Sequence, residues 1–217
     1  MTQGIARIAL APDRLTGERI RERLRPDACR GTPRAELPGA APAAPAGAAA
    51  EQAAVLLPLY CRDGAWHLIF IRRAVRLEDR HSGEVGFPGG RHQEADRDST
   101  ATALREAHEE IGLAPEQVRV LGALRPLETV SRFLVTPVVG ELPWPQPLRP
   151  DPREVARIFS IPLAWLGTPG HHRLRTYPAP DHPQAREIAF FDEYDGELLW
   201  GVTARITLDF LGCLMGP

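Results

Sequence analysis

Gly83–Leu113, GEVGFPGGRHQEADRDSTATALREAHEEIGL, runs from a glycine-rich loop straight into a helix crowded with carboxylates. At about 100° per residue, Glu106, Glu109 and Glu110 (i, i+3, i+4) share one sector roughly 100° wide. Thr100, Ala103, Leu104, Ala107 and Ile111 occupy the neighbouring sector, an apolar stripe that can pack on a sheet. Like charges at this spacing cost an isolated helix about 0.2–0.5 kcal/mol per pair, so the pattern calls for a cation. A charged face left to solvent is the plainer alternative, and the loop weighs against it. Gly86, Gly89 and Gly90 let the backbone come close and take conformations other residues avoid, while Pro88 stiffens the entry. A carbonyl from Gly89 or Gly90 could then join a metal shell. Hard oxygen donors suit Mg²⁺ or Mn²⁺ rather than zinc, and Mg²⁺ is commonly held by one or two carboxylates plus substrate phosphates. Gly112 stands where a C-cap glycine would end the helix, and Pro115 discourages its continuation.

Working outward, AAVLLPLYC and WHLIFIRR flank Asp63-Gly64 and predict a β-hairpin, with the folded domain beginning near Ala53. QVRVLGALRPL and RFLVTPVVGEL read as two further strands. The proline-rich PWPQPLRPDP separates them from REVARIFSIPL, and a helical turn is expected at residues 164–166. REIAFFDEY and ELLWG predict a late hairpin turning at Asp195-Gly196, and VTARITLDFLGCLM a closing apolar helix. Strands mixed with two main helices favour an α+β or α/β/α layered domain. Upstream, residues 16–25 predict a short helix with Ile20 and Leu24 on one face, and GTPRAELPGAAPAAPAGAAA is too rich in Ala, Pro and Gly for a core. The expected organisation is a short helical segment in residues 1–30, a linker in 31–52 and one domain in 53–217.

Composition bounds the function. A chain of 217 residues and net charge −2 has no general attraction for nucleic acid or anionic membrane. All 26 basic residues are arginine, which base composition of the genome explains best. Cys29, Cys61 and Cys213 are few and widely spaced, so a reducing cytoplasm and no disulfide framework are expected. The amino terminus lacks a secretory pattern, and no apolar run approaches the ~18 residues of a membrane helix. A homodimer is left open.

The segment resembles the Nudix box, G-x5-E-x7-R-E-U-x-E-E-x-G-U, where U is apolar. Arg105-Glu106-Ala107-His108-Glu109-Glu110-Ile111-Gly112-Leu113 matches its second half throughout. In the first half Asp96 stands six positions after Gly90 where the family has Glu, and eight residues rather than seven separate it from Arg105. Arg73-Ala74, Arg80, Gly83 and Phe87-Pro88-Gly89-Gly90 further resemble a signature of the coenzyme A pyrophosphatase branch, with altered spacing around Arg80. The likeness extends over residues 50–217.

The resemblance implies a Nudix α/β/α sandwich with a mixed sheet, and metal-dependent attack of water on a nucleoside diphosphate linked to a further group. Glu106 and Glu110 are the expected main metal ligands, since i and i+4 stack on one face; Glu109 is a third ligand or is bound through water. Arg105, about 100° away around the helix, is expected to hold a glutamate or the loop. Arg72, Arg73, Arg80 and Arg91, with Gly89 and Gly90, are the candidates for phosphate binding. The general base is open between a helix glutamate, Glu154 and Glu128. His171-His172 could touch a phosphate from a loop, and His108 is expected to face solvent. Coenzyme A or its acyl thioesters is the expected substrate, cleaved to adenosine 3′,5′-bisphosphate and (acyl-)4′-phosphopantetheine. ADP-ribose or another nucleoside diphosphate derivative is the alternative within the chemistry. A non-catalytic nucleotide-binding regulatory module is the alternative outside it, although such a module would be expected to lose an acid from REAHEE.

Overall fold

The computed structural model describes residues 15–25, 50–76, 82–177 and 186–215. Arg80 and Cys29, both singled out above, lie outside them, as does most of the expected linker.

Two long strands organise the molecule. β1 (Glu51–Arg62) and β2 (Ala65–Arg73) form the expected hairpin. Its two-residue turn uses left-handed backbone at Asp63 (φ 51°) and Gly64 (φ 79°), the conformation whose twist matches that of paired strands. β1 starts at Glu51, two residues earlier than expected, because Glu51–Val55 pair in parallel with residues 133–137. Side chains alternate between two cores. Leu68 and Phe70 enter one, Ile69 and Ile71 the other, and all four are buried. Burial on both faces is why these strands read as nearly continuous apolar runs.

The remaining strands extend this sheet. β3 (Val85–Gly86) pairs with β2 and β4 (Gly89–Arg91) with β1, so the glycine loop is itself stitched into the sheet. β5 (Arg119–Ala123) and β6 (Leu127–Glu128) pair antiparallel with β7 (Phe133–Glu141), which runs parallel to β1. β8 (Val155–Pro162) lies antiparallel to β2. One parallel pairing among antiparallel ones makes the sheet mixed.

Helices cover both faces. α2 (Ser99–Ile111) buries Ala103, Ala107 and Ile111 against Ala54, Leu56, Ile69 and Val138. Burying the Ile111 side chain alone is worth about 1.5–3 kcal/mol. Across the sheet, α1 (Gly17–Arg23) and α4 (Gly201–Met215) share a second core, with Ile20 and Leu24 packed among Leu57, Phe70, Ile206, Phe210 and Leu214. The Trp66 indole N–H donates to the Leu15 carbonyl at 2.7 Å and fixes the approach to α1. α3 (Leu163–Leu166) is the expected helical turn. The architecture is a mixed sheet between helical layers.

The carboxyl-terminal strands differ from expectation. β10 (Arg186–Phe191) pairs with β9 (His172–Tyr177) in a separate two-stranded sheet. The turn at Asp195-Gly196 exists but joins only isolated bridges, Phe190–Trp200 and Tyr194–Glu197. HHRLRTY has too little apolar alternation to read as a strand, and tertiary pairing decides it. In consequence His171 and His172 pack inward, against Trp165 and Phe191, rather than lying in an open loop. The cysteines also depart from expectation: Cys61 is free and exposed, but the buried Cys213 is disulfide-bonded. Among the described residues no helix is long and apolar enough to cross a membrane.

Candidate active site

α2 is placed by its ends. Asp98 caps the amino terminus, its carboxylate accepting the Ala101 N–H at 2.8 Å. Gly112 (φ 67°) closes the other end in the left-handed conformation, with Leu113 N–H returning to the Ala107 carbonyl at 3.3 Å. The last carbonyls are not left bare. Glu110 C=O accepts from Asp151 N–H and Ile111 C=O from Arg149 N–H, both at 2.9 Å. The proline-rich connection therefore serves as a second cap, and the final turn carrying Glu110 is held from both sides.

The glycine loop closes over this turn. Leu56 N–H donates to Pro88 C=O and His92 N–H to Gln52 C=O. By the alternation of an antiparallel ladder, Gly89 then turns its amide and carbonyl away from β1. That amide donates to Glu110 Oε2 at 3.0 Å. The glycines are required by space: a Cβ on Gly89 would lie 2.5 Å from Ala54 O, and one on Gly90 2.6 Å from the Glu106 carboxylate. Of the two reasons expected above, close approach is the one used at Gly89 and Gly90; backbone freedom is used in this loop at Gly83 (φ 75°), and Gly86, Gly89 and Gly90 have no positive φ.

Arg105 is the hub. Its Nε and Nη2 donate to the two oxygens of Asp96, each at 3.0 Å, and Nη2 also reaches the Arg91 carbonyl. Nη1 donates to Glu106 at 2.8 Å and Glu109 at 3.0 Å. Asp96 is buried and takes further bonds from Gln93 N–H and the Thr102 hydroxyl. The Arg105 guanidinium holds its carboxyl well below the usual range. So the residue that departs from the family's pattern is the one that fixes Arg105. The shorter side chain and the extra residue before Arg105 accompany a loop folded tightly onto Thr102.

Depth separates the glutamates. Glu110 is 2 % exposed, and burial pushes its carboxyl up to about 8 against the opposing pull of Gly89 N–H and Arg73. Glu106 is raised too, by burial first. Glu109 is exposed and engaged with Arg105. Among the described residues no three His, Cys, Asp or Glu side chains converge on one metal position. Two carboxylates suffice where substrate phosphates complete the shell. Glu106 and Glu110 fit that role: both are desolvated, Glu106 shares its one arginine with Asp96 and Glu109, Glu110 has only Arg73 and one amide against its charge, and Gly90 passes so close to Glu106 that a methyl group there would meet its carboxylate.

The arginines diverge. Arg73 Nη1 is 3.8 Å from Glu110 Oε1 and so stands at the site. Arg72, its neighbour on the strand, points to the opposite face and pairs with buried Glu197. The Arg91 side chain reaches Glu51 and the Phe133 ring, so only its carbonyl serves the site. His108 is exposed. Asp96 and Thr102 went unassigned in the sequence reading; the signal available for Asp96 was its place six residues after Gly90.

The NUDIX domain model matches residues 50–182. The chain belongs to the Nudix family. It is 42% identical over 158 residues to an uncharacterized Nudix hydrolase NudL of Pectobacterium atrosepticum, covering 71% of this chain and 78% of that protein. The Escherichia coli NudL is 38% identical over 156 residues, with 71% and 78% covered. A MutT/nudix family protein from Enterococcus faecalis aligns over 77% of this chain and 63% of that one, with a TM-score of 0.48 and 17% identity. This Nudix protein is a hydrolase of nucleoside diphosphates linked to a further group, and Nudix hydrolases use divalent metal ions.

Proposed function

We propose that this Nudix hydrolase cleaves the diphosphate of coenzyme A or its acyl thioesters with Mg²⁺ or Mn²⁺, yielding adenosine 3′,5′-bisphosphate and (acyl-)4′-phosphopantetheine. The observation that carries the chemistry is Glu110: almost wholly buried, beside a second desolvated glutamate, with only Arg73 and one amide against its charge. Glu106 and Glu110 would hold the metal, with the outward carbonyl of Gly89 available as a backbone donor. A divalent ion there supplies positive charge against the diphosphate and acidifies water.

The protein's own residues do the positioning. Arg105, fixed by Asp96, keeps Glu106 in place and holds Glu109 at the exposed rim, from which it would serve the ion directly or through water. Arg73 meets a phosphate oxygen once Glu110 is otherwise neutralised. Gly89 and Gly90 bring the backbone within reach of the phosphates. Support for coenzyme A comes from the Arg73-Ala74 and Phe87-Pro88-Gly89-Gly90 signature.

A panel of coenzyme A, acetyl-coenzyme A, ADP-ribose and dinucleoside polyphosphates, each with Mg²⁺ and Mn²⁺ and with products identified by mass, tests this. Preferred release of adenosine 3′,5′-bisphosphate supports the reading. Equal or faster turnover of ADP-ribose replaces it with the broader hydrolase.

A further inference from the structure

We propose that His92 is a positioning residue for the metal helix: its ring donates through Nδ1 to the Thr102 hydroxyl, which holds Asp96 and, through Arg105, Glu106. The role rests on diphosphate hydrolysis at Glu106 and Glu110. His92 follows the glycine loop, Asp96 ends the next turn, and Thr102 lies wholly buried in the first turn of α2. His92 Nδ1 is 2.9 Å from Thr102 Oγ1, which is 3.0 Å from Asp96 Oδ2. His92 Nδ1 itself stands 4.0 Å from Asp96 Oδ2, too far for a direct bond, so the hydroxyl is the link.

The direction of each bond follows from the protons available. Asp96 is an anion paired with Arg105 at 3.0 Å and can only accept. Thr102 has one hydroxyl proton. Donated to His92, it would leave two oxygens 3.0 Å apart with no proton between them. The hydroxyl therefore donates to Asp96, and the contact with His92 requires an N–H at Nδ1.

Asp96 Oδ2 thus accepts three bonds, from Gln93 N–H at 2.9 Å and from the Thr102 hydroxyl and Arg105 Nη2 at 3.0 Å. Donors in series strengthen one another. In this way a carboxylate one methylene shorter than the family's glutamate is held square to Arg105, which passes the constraint to Glu106 at 2.8 Å. The competing acceptor is Asp98 C=O, 3.3 Å from Thr102 Oγ1. Without the His92 N–H the hydroxyl is free to turn to that carbonyl, and Asp96 loses a donor. The backbone stays in place, because His92 N–H donates to Gln52 C=O at 2.9 Å whatever side chain residue 92 carries.

His92→Ala, His92→Asn, His92→Gln and Thr102→Val in the full chain test this, read by kcat and KM for coenzyme A and ADP-ribose with Mg²⁺ and by thermal melting. An asparagine amide places an N–H where Nδ1–H stands; a glutamine amide lies out where Nε2 stands. Expected is a kcat about tenfold lower for Ala and Gln, with KM within threefold of the parent and Asn within twofold in kcat. Thr102→Val should match His92→Ala, and the double variant should be no slower than the slower single, since both break one series of bonds. A lower melting temperature with parental kcat overturns the proposal, as does an Asn variant as slow as Ala. Losses that multiply in the double variant overturn it too. A parent that hydrolyses neither substrate removes the diphosphatase reading and this role with it, whereas an active parent with equally active variants removes this role alone.

Discussion

Two glutamates in this protein are equally buried, at 2 % exposure, and differ in what faces them. Glu197, on the α1/α4 side of the sheet, meets Arg157 Nη1 at 2.9 Å and Arg72 Nη1 at 3.4 Å. Glu110, on the α2 side, has one amide, an arginine at 3.8 Å and a second carboxylate nearby. Adjacent residues of β2 supply an arginine to each, so strand alternation alone sends Arg72 and Arg73 to opposite destinations. A carboxylate removed from water without compensation is destabilising. Of these two glutamates the protein neutralises Glu197 from within, and on the proposed reading Glu110 is left for a cation from outside.

The largest effect is expected from Glu110→Gln. Turnover should drop by about 100-fold or more, with Mn²⁺ binding weakened in parallel, yet the metal-free protein should melt no lower than the parent at pH 8. Near-normal turnover would end the contrast. Asp96→Asn comes next. It removes the charge that fixes Arg105, and about a tenfold fall in kcat is expected with a stability loss of about 1–3 kcal/mol. Glu197→Gln should instead act on stability alone. A loss of about 2 kcal/mol is expected, less than for a wholly buried pair because Arg157 is one-third exposed; kcat per folded molecule should change less than threefold. If Glu197→Gln proved the catalytic lesion, the two acids would have been assigned the wrong way round.

The smallest effect is in pH. Glu110 titrates at about 8 in the folded chain against an ordinary value of 4.5. A raised carboxyl stabilises the fold fully below 4.5, and that contribution is lost as pH rises through 8. The metal-free protein should therefore lose a few degrees of melting temperature between pH 5 and 8.5, and the gain on adding Mg²⁺ should be larger at pH 8.5. Melting curves at both pH values, with and without Mg²⁺, check the sign. Asp96, shifted downward, acts only at more acid pH and does not enter this window.

Much of this contrast was legible in the chain. Angular positions of Glu106 and Glu110, the Gly112 end of α2 and the Asp63-Gly64 hairpin all follow from local spacing and turn chemistry; the Asp98 cap at the other end was not read from the sequence. Depth does not. Helical periodicity says that Glu109 and Glu110 share a sector, but the loop lying over one of them decides that Glu110 is sealed and Glu109 is wet. The partner of Arg105 was visible only as a family position filled by a shorter acid. β9 was hidden because HRLRTY is defined by its pairing with β10 and not by its own pattern. Glu197 carried no local signal at all, since Arg72 and Arg157 reach it from strands far away in sequence.

α1 has a practical bearing on any attempt to shorten the protein. The family-matched segment, residues 50–182, holds every acid discussed at the metal helix but neither α1 nor α4. Cut to that length, the chain would keep its chemistry on one side and turn Leu57, Leu68 and Phe70 out to water on the other. Such a fragment should clump or pair with itself, so the flanking helices are a waterproof backing for a catalytic sheet that could not stay in solution alone.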